Sequence, residues 1–286
     1  MHPVETGPAA HTRLAFPNTY HHADCLDLMR RLPDGSVDFI CTDPPYHTTR
    51  LAFDEGPRID WAAWWREANR ILTPAGIVCL FASGTFTFAL HATNPKAWRY
   101  TLIWHKSRWT RYLSANHRPL QAHEDILVFC RQPRQATYHP QKTGRKIKIP
   151  RITRSAARRG THYGRFGANI YRDDGLRHPG TVLQFASGDR KHNLNPTQKP
   201  VELLRWLVRS YSNPGDIVLD TCAGSGTTAI ACLDEGRTFI CCDTDPDQCQ
   251  KATQRIANHI AQQPLRLEMP KPTTGSTDEQ GGIPPA

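Results

Sequence analysis

The sequence lacks a long apolar run, a secretion signal and a metal-binding pattern. No apolar stretch in its 286 residues is long enough to cross a membrane. The first residues, Met1 to Pro17, have neither the cationic start nor the apolar centre of a secretion signal. The nine cysteines show no metal-ligand spacing, and several lie within apolar runs. We therefore expect no membrane partner, no bound metal, and a cytoplasmic protein whose cysteines are small buried hydrophobic side chains.

Acidic residues are scarce in one segment, which concentrates the positive charge of the chain there. The whole sequence has a formal net charge of +10. Between Arg131 and His178 there are thirteen Lys or Arg and two acids, a local charge of +11, so the remainder is close to neutral at −1. Charge concentrated in this way is typical of a surface that binds nucleic-acid phosphates. A solvated basic loop without a partner is the alternative.

A short apolar run ends in the tetrapeptide Asp43-Pro44-Pro45-Tyr46. The run, residues 37–42, has the length and composition of a buried strand, and the prolines prevent it from continuing as a helix. The tetrapeptide is therefore predicted to form a rigid loop. Such a loop can present a carboxylate and a backbone carbonyl to one amino group, while the tyrosine stacks on the ring that carries the amine. A strand that ends in an ordinary proline turn is the alternative.

A second motif has the order strand, glycine turn, helix. Residues 217–220 form an apolar run that ends in Asp220, and a turn through Gly224 and Gly226 leads into an alanine-rich helical stretch. Glycines let the backbone approach a ligand, and amides at a helix start favour electron-rich groups. A further strand, residues 238–242, ends in Asp243, whose carboxylate can accept hydrogen bonds from ribose hydroxyls. The motif predicts a nucleoside-binding half-site, and its glycine spacing also fits a dinucleotide fingerprint.

These motifs, with two others in the same chain, resemble the beta-class amino-DNA methyltransferases over about Tyr20 to about Ile260. The matching segments, in the family's order, are 23–38, the catalytic tetrapeptide 43–46, the Asn-Pro-Thr-Gln-Lys-Pro segment 195–200 and the cofactor loop 220–226. Three positions depart from the family pattern. Cys222 replaces the usual phenylalanine, Asp243 replaces glutamate, and Asn195 replaces the histidine of His-Pro-Thr-x-Lys-Pro.

The resemblance implies an α/β, Rossmann-like methyltransferase fold. Such a fold has a mostly parallel seven-stranded sheet with helices on both faces, here with a small basic recognition insertion. The implied regions are a disordered tail (1–17), a catalytic half (18–131), a basic target-recognition region (132–180), a cofactor-binding half (181–263) and a second disordered tail (264–286). The implied cofactor is S-adenosyl-L-methionine, and the implied substrate is double-stranded DNA.

The resemblance further implies methylation of an exocyclic amine on a base flipped out of the duplex. A tetrapeptide that begins with aspartate favours adenine N6, and cytosine N4 is the alternative within the same class. A non-catalytic DNA-binding protein on a degenerate methyltransferase fold and a nicotinamide-dependent oxidoreductase are alternatives from other classes. A homodimer and a cognate restriction endonuclease are left open as partners. A bacterial or phage protein associated with nucleoid DNA is expected.

Individual residues inherit roles from the resemblance. Asp43, Pro44, Pro45 and Tyr46 are expected to be catalytic. The residues expected to hold the cofactor are Asp24 (on its adenine), Asp43, Thr197, Lys199, Asp220, Cys222, Ala223, Gly224, Gly226, Thr227 and Asp243. The residues expected to bind DNA are Lys106, Arg145, Lys146, Lys148, Arg151, Arg154, Arg158, Arg159 and Arg165. His123-Glu124 lies where the family lines its base pocket, although a core or surface role is commoner for such residues.

Overall fold

A large β-sheet flanked by helices organises the chain in the computed structural model. The structure describes residues 17–48, 56, 58–148, 151–155, 158–160, 164–166, 169–187 and 197–263. The helices are α1 (Cys25–Arg31), α2 (Trp61–Ile71), α3 (Thr85–Thr93), α4 (Val201–Tyr211), α5 (Thr227–Glu235) and α6 (Pro246–Gln262). The strands are β1 (Thr19–His22), β2 (Val37–Thr42), β3 (Leu72–Ala82), β4 (Trp98–Thr110), β5 (Gln121–Cys130), β6 (Thr143–Gly144), β7 (Arg151–Ser155), β8 (Arg158–Gly160), β9 (Gly164–Phe166), β10 (Asn169–Asp173), β11 (Leu176–Arg177), β12 (Val182–Phe185), β13 (Ile217–Asp220) and β14 (Thr238–Asp243).

The central sheet has the strand order β1-β14-β13-β2-β3-β5-β4-β12. All neighbouring strands are parallel except around β5, which runs antiparallel to both β3 and β4. The predicted α/β fold with a mostly parallel sheet is confirmed, with eight strands in this sheet and not seven. Because β1, β14, β13 and β2 are parallel, their carboxyl ends meet at one edge. Antiparallel β5 brings its first residues to that same edge, where ligands bind in open α/β sheets.

Two apolar cores lie on opposite faces of this sheet. Successive side chains of β2 alternate between them, with Phe39 and Cys41 in one core and Ile40 in the other. Helices α4 and α5 contribute buried residues to the first core, and α1 and α2 contribute to the second. Eight of the nine cysteines are buried and all nine are free thiols. Among the described residues, no helix is long and apolar enough to cross a membrane.

The local sequence signals produced the expected elements. The predicted strands 37–42 and 217–220 are found as β2 and β13. Helix α2 begins after Asp60, whose side chain accepts a hydrogen bond from the backbone N–H of Ala63 at 3.0 Å. Its apolar face, which includes Trp64, is buried against the sheet. The predicted tails, 1–17 and 264–286, lie outside the described residues except for Pro17.

The described residues of the basic segment form three antiparallel strand pairs outside the main sheet. Strand β6 pairs with β11, β7 with β10 and β8 with β9. The three pairs lie along the same two stretches of chain, from Thr143 opposite Arg177 to Gly160 opposite Gly164. We call residues 143–177 the basic ribbon. A two-stranded ribbon has a width that the major groove of B-form DNA can admit.

Candidate active site

The acidic residues singled out in the sequence meet at the carboxyl edge of the sheet. Asp43 follows β2, Asp220 ends β13 and Asp243 ends β14. The ends of β2 and β13 are joined by a hydrogen bond between the hydroxyls of Thr42 and Thr221 at 3.3 Å. Parallel strand order therefore gathers carboxylates that are far apart in the sequence. These residues fall into two groups, one around the glycine loop and one around the tetrapeptide.

The glycine loop is held by hydrogen bonds from distant elements. The Gly224 N–H donates to Asp243 Oδ2 at 2.9 Å, and the Tyr20 hydroxyl donates to the Gly224 carbonyl at 2.7 Å. Arg255 on α6 donates to the Ser225 carbonyl at 2.8 Å. Gly224 has a φ of 47°, a left-handed conformation that favours glycine. Sequence reasoning missed Tyr20 and Arg255. Tyr20 lies 204 positions from Gly224 and Arg255 lies 30 positions from Ser225, and no local pattern marks contacts between residues that far apart in the sequence.

Gly226 has a packing role besides the predicted one, which stays a prediction. The prediction made its small size necessary for close approach of a ligand. A Cβ atom at Gly226 would lie 3.3 Å from Ala252 Cβ and 3.3 Å from Ile256 Cδ1, both on α6. The missing side chain therefore lets α5 begin against α6, and the φ of 72° at this residue also requires glycine. A larger residue at this position would therefore press against α6.

The carboxylates of this group are held by neutral donors. Asp220 accepts from the Cys222 N–H at 3.1 Å and from the Thr228 hydroxyl at 2.5 Å. Burial raises the pKa of Asp220 to about 6, although these hydrogen bonds oppose the rise. Asp243 also accepts from the Asp245 N–H at 3.0 Å. Neither Asp220 nor Asp243 has a Lys or Arg partner within the described ranges. We call Asp24, Asp220 and Asp243 the cofactor-end acids.

Asp24 lies at the start of α1 and caps that helix. Its Oδ1 accepts from the Leu26 N–H at 2.8 Å and from the Asp27 N–H at 3.3 Å. The neighbouring Ala23 N–H donates to the Asp243 carbonyl at 3.0 Å, which fixes the start of α1 beside the end of β14. Asp24 is exposed, so the cap leaves its second oxygen accessible for a ligand. The capping role was not predicted.

The tetrapeptide carboxylate has two side-chain donors. Lys199 Nζ donates to Asp43 Oδ2 and forms an ion pair with it, and the Tyr46 hydroxyl donates to Asp43 Oδ1 at 2.7 Å. The Tyr46 ring stacks on Phe86 of α3, with ring centroids 5.1 Å apart and planes 22° from parallel. One face of the tyrosine is therefore covered by protein. Lys199 was predicted to hold a cofactor, and the structure places its ammonium on the Asp43 carboxylate.

The ion pair continues into a row of four alternating charges. Glu124, at the start of β5, lies 3.3 Å from Lys199 Nζ through Oε2 and 3.2 Å from Lys106 Nζ through Oε1. The row is Asp43, Lys199, Glu124, Lys106, and we call it the charge row. Lys106 was predicted to contact DNA, but only 5% of its surface is exposed and Thr110 also accepts from it at 3.3 Å. Its place in the structure corrects that prediction, because a buried, paired ammonium has no access to phosphate.

Burial and neighbouring charges have opposite effects on the pKa values of Asp43, Lys199 and Glu124 in the charge row. Burial raises the pKa of Asp43, and the Lys199 ammonium opposes that rise. Burial also disfavours charge on Lys199, but the two carboxylates outweigh it and hold its pKa above the ordinary value. For Glu124, burial pushes the pKa up, and the two lysines outweigh it and leave the pKa below its ordinary value. The row therefore balances two negative charges with two positive ones.

The remaining predicted residues are placed as follows. Cys222 is half-buried, Ala223 and Thr227 are buried within the glycine loop, and the Thr227 hydroxyl accepts from Arg255 at 3.0 Å. Thr197 is exposed, and Asn195 lies outside the described residues. Among the residues predicted to bind DNA, those whose side chains are exposed are Arg145, Lys146, Lys148, Arg151 and Arg154. The side chains of Arg158, Arg159 and Arg165 lie outside the described part of the chain.

Known proteins with similar sequences are DNA methyltransferases. A family model described as DNA methylase, of the N6 and N4 type, matches residues 37–254. The "DNA adenine methyltransferase YhdJ" of Escherichia coli K12 is 27% identical over 280 residues, covering 93% of this chain and 92% of the relative. The "Type II methyltransferase M.BglII" of Bacillus subtilis is 26% identical over 268 residues, covering 86% of this chain and 72% of the relative.

Solved structures with the same fold have low sequence identity. The M1.HpyAVI–SAM complex aligns with a TM-score of 0.55 and 22% identity, covering 83% of this chain and 98% of that one. The PvuII DNA methyltransferase, whose title calls it cytosine-N4-specific, aligns with a TM-score of 0.57 and 15% identity, covering 85% of this chain and 91% of that one. At this level of identity the similarity extends to the fold.

Proposed function

The chain belongs to the N6/N4 DNA methylase family, and we propose that it transfers a methyl group from S-adenosylmethionine to adenine N6 within duplex DNA. One observation carries the proposal. The Asp43 carboxylate lies at the same sheet edge as the glycine loop, with the Tyr46 hydroxyl 2.7 Å from Asp43 Oδ1. An amine acceptor, an aromatic ring and a nucleoside-binding loop are thereby brought together.

The cofactor-end acids fit a cationic nucleoside cofactor. Asp220 and Asp243 accept hydrogen bonds from N–H and hydroxyl groups and have no cationic partner within the described ranges. Asp24, Asp220, Asp243 and the backbone around Gly224 would hold S-adenosylmethionine, with Asp243 accepting from the ribose hydroxyls. When bound, this cofactor supplies an activated methyl group on a positively charged sulfur.

Asp43 prepares the target amine. The lone pair of an exocyclic amine is delocalised into the base, so the nitrogen is a poor nucleophile until its geometry is changed. Hydrogen bonds from the amine to the Asp43 carboxylate and the Pro44 carbonyl favour a more tetrahedral nitrogen and stabilise the positive charge that develops on it. Lys199 holds one carboxylate oxygen and Tyr46 the other, which fixes the orientation of the acid. Each oxygen keeps a second lone pair for the amine.

The base must leave the duplex to reach Asp43, because a stacked amine is inaccessible. The exposed face of Tyr46, opposite Phe86, can then stack on the extruded ring. Support for adenine comes from the aspartate that begins the tetrapeptide and from the name of the Escherichia coli relative. A homodimer and a cognate restriction endonuclease remain predictions.

Expression of the protein in cells without DNA methylation of their own tests the proposal. Nucleosides from the cellular DNA are separated by mass spectrometry, and long-read sequencing gives the modified context. N6-methyladenine at a fixed sequence, absent with Asp43→Ala, is the expected result. N4-methylcytosine would replace the adenine assignment with the cytosine one. Cofactor and DNA binding without any modified base would support the non-catalytic alternative.

A further inference from the structure

The last residues of β4 and the connection to β5 together form the segment 107–119, which we call the β4–β5 arm. The two strands pair through His105 opposite His123 and next through Thr110 opposite Gln121, so the β4 side carries extra residues. Arg111 adopts a left-handed φ of 67°, and a 3₁₀ turn, Tyr112–Ser114, follows it. Backbone bonds from Ser114 N–H to the Arg111 carbonyl and from His117 N–H to the Ser114 carbonyl close the turn. The arm therefore has a defined backbone.

Large apolar side chains on the arm face solvent. Trp109 is 54% exposed, Tyr112 73% and Leu113 86%. These three lie within five consecutive residues, whereas Phe39, Phe81, Trp104, Phe129 and Phe239 of the central sheet are buried. Exposed apolar groups clustered in this way mark an interaction site more often than isolated ones do.

The arm is also cationic. It contains Arg108, Arg111 and Arg118 and no Asp or Glu. All three arginines are exposed, and none forms an ion pair with a described carboxylate. By contrast, Arg70 and Arg205 on the helices are paired with acids. Arginines interleaved with aromatic rings suit a partner that is polyanionic and carries stacked rings.

The arm begins next to the catalytic pocket. It starts one residue after Lys106, the last member of the charge row. The Arg111 guanidinium lies about 3.9 Å from the position of a Cβ atom on Gly84, at the start of α3. The same helix supplies Phe86, which stacks on Tyr46. The arm therefore approaches, through Arg111, the start of the helix whose Phe86 stacks on Tyr46.

We propose that the β4–β5 arm enters duplex DNA at the target, with Trp109 or Tyr112 occupying the space that the extruded base leaves. The arginines contact the flanking phosphates. An apolar side chain inserted between base steps compensates for lost stacking, so the arm keeps the flipped state populated. This inference deepens the proposed function and depends on it. The unpaired positive charge of the arm disfavours a protein partner. An arm that bound a protein would leave base flipping unaffected.

A double variant, Trp109→Ala with Tyr112→Ala, tests the inference against an Ile260→Ala control. Ile260 is an apolar residue of α6 that is 51% exposed and belongs to neither site. Methyl transfer is measured on the mapped target sequence as a matched duplex and as a duplex with a mismatch opposite the target base. Because a mismatched base is already partly unstacked, flipping it needs less compensation. Calorimetry of S-adenosylmethionine binding and thermal unfolding check that the site and the fold are intact.

The double variant should lose about tenfold or more in kcat/KM on the matched duplex and recover most of it on the mismatched one. A second double variant, Trp109→Ala with Tyr112→Phe, keeps an aromatic ring at position 112. It should retain part of the activity on the matched duplex that the first double variant loses. An equal loss on both duplexes, or no loss on either, would overturn the role of the arm while leaving the proposed function standing. If the wild-type protein methylated neither duplex, the proposed function itself would fail.

Discussion

The two groups of carboxylates at the carboxyl edge of the sheet are neutralised in opposite ways. In the charge row, Asp43 and Glu124 are balanced by Lys199 and Lys106. At the cofactor end, Asp220 and Asp243 are held by N–H and hydroxyl donors, which leave their negative charge uncompensated. The substrate base is uncharged, whereas the proposed cofactor carries a positive sulfonium. The charge of each half-site thus matches the ligand proposed for it.

The largest expected effect comes from removing Asp43, the acid of the charge row that is proposed to accept from the target amine. Asp43→Ala should lower kcat by roughly 10²–10³ or more, because the amine loses its main acceptor and its electrostatic stabilisation. Lys199 keeps Glu124 as a partner, so the variant should stay folded. Methyl transfer and thermal unfolding are measured together with cofactor affinity, which should be unchanged. Turnover near the wild-type level would refute the proposed role of Asp43.

Removal of a lysine from the charge row should cost stability. Lys199→Met leaves Asp43 without its cation and Glu124 with one lysine, and breaking a buried ion pair costs about 3–5 kcal/mol. Burial then raises the pKa of Asp43 with the Tyr46 hydrogen bond, and no longer the Lys199 ammonium, acting against it. The loss should therefore shrink as the pH falls and the carboxyl becomes neutral. Urea unfolding at several pH values measures this. Lys251→Met, an exposed residue of α6, is the control and should change little.

At the cofactor end, neutralising a buried charge should stabilise the protein, whereas removing Lys199 from the charge row should destabilise it. Burial raises the pKa of Asp220 from its ordinary value of 3.8 to about 6 in the folded protein. The unfolded chain therefore loses its proton first, and the free energy of unfolding should decrease as the pH rises from about 4 to about 6. Asp220→Asn abolishes this slope and should stabilise the protein at pH 7 by up to about 3 kcal/mol, with no difference at pH 4. Urea unfolding of both proteins is the measurement, and a destabilised variant at pH 7 would contradict the expectation.

The basic ribbon should show the smallest effect, confined to DNA binding. Arg151 and Arg154 are exposed on β7. If both contact phosphate, replacing them with alanine should flatten the slope of log affinity against log salt by up to about two units, since each phosphate contributes roughly 0.9. Arg30→Ala with Arg66→Ala, on α1 and α2, is a control of equal charge change. The same slope change in both pairs would remove the special role of the ribbon.

Features encoded by neighbouring residues could be predicted from the sequence, and features that depend on distant pairing could not. Strands β2 and β13 follow from short apolar runs bounded by turn residues. The family resemblance then assigned Asp43 and Asp243 to one cofactor site. Glu124 was noted near the expected base pocket, but its ion pairs with Lys199 and Lys106 could not be predicted, because it reaches them only through the antiparallel direction of β5. Lys106 looked like a surface cation for the same reason, since its partner lies on another strand.

Gly226 shows a second limit of sequence reasoning. The glycine spacing correctly predicted a tight turn into a helix, and Gly224 and Gly226 both have positive φ. The pattern does not state which way a missing Cβ would point. At Gly226 it points at α6, a packing partner that begins about twenty residues later and is fixed only by the tertiary fold. Helix packing and ligand approach therefore leave the same signature in the sequence.

Calorimetric titration of S-adenosylmethionine into Asp243→Asn and Glu124→Gln tests the difference between the two half-sites most directly. Each substitution removes one negative charge at nearly constant volume, one from the cofactor end and one from the charge row. We predict that Asp243→Asn weakens cofactor binding by about tenfold or more, which is about 1.4 kcal/mol, and that Glu124→Gln leaves it unchanged. Equal weakening in both variants, or full affinity in Asp243→Asn, would contradict the assignment of the cofactor to the uncompensated acids.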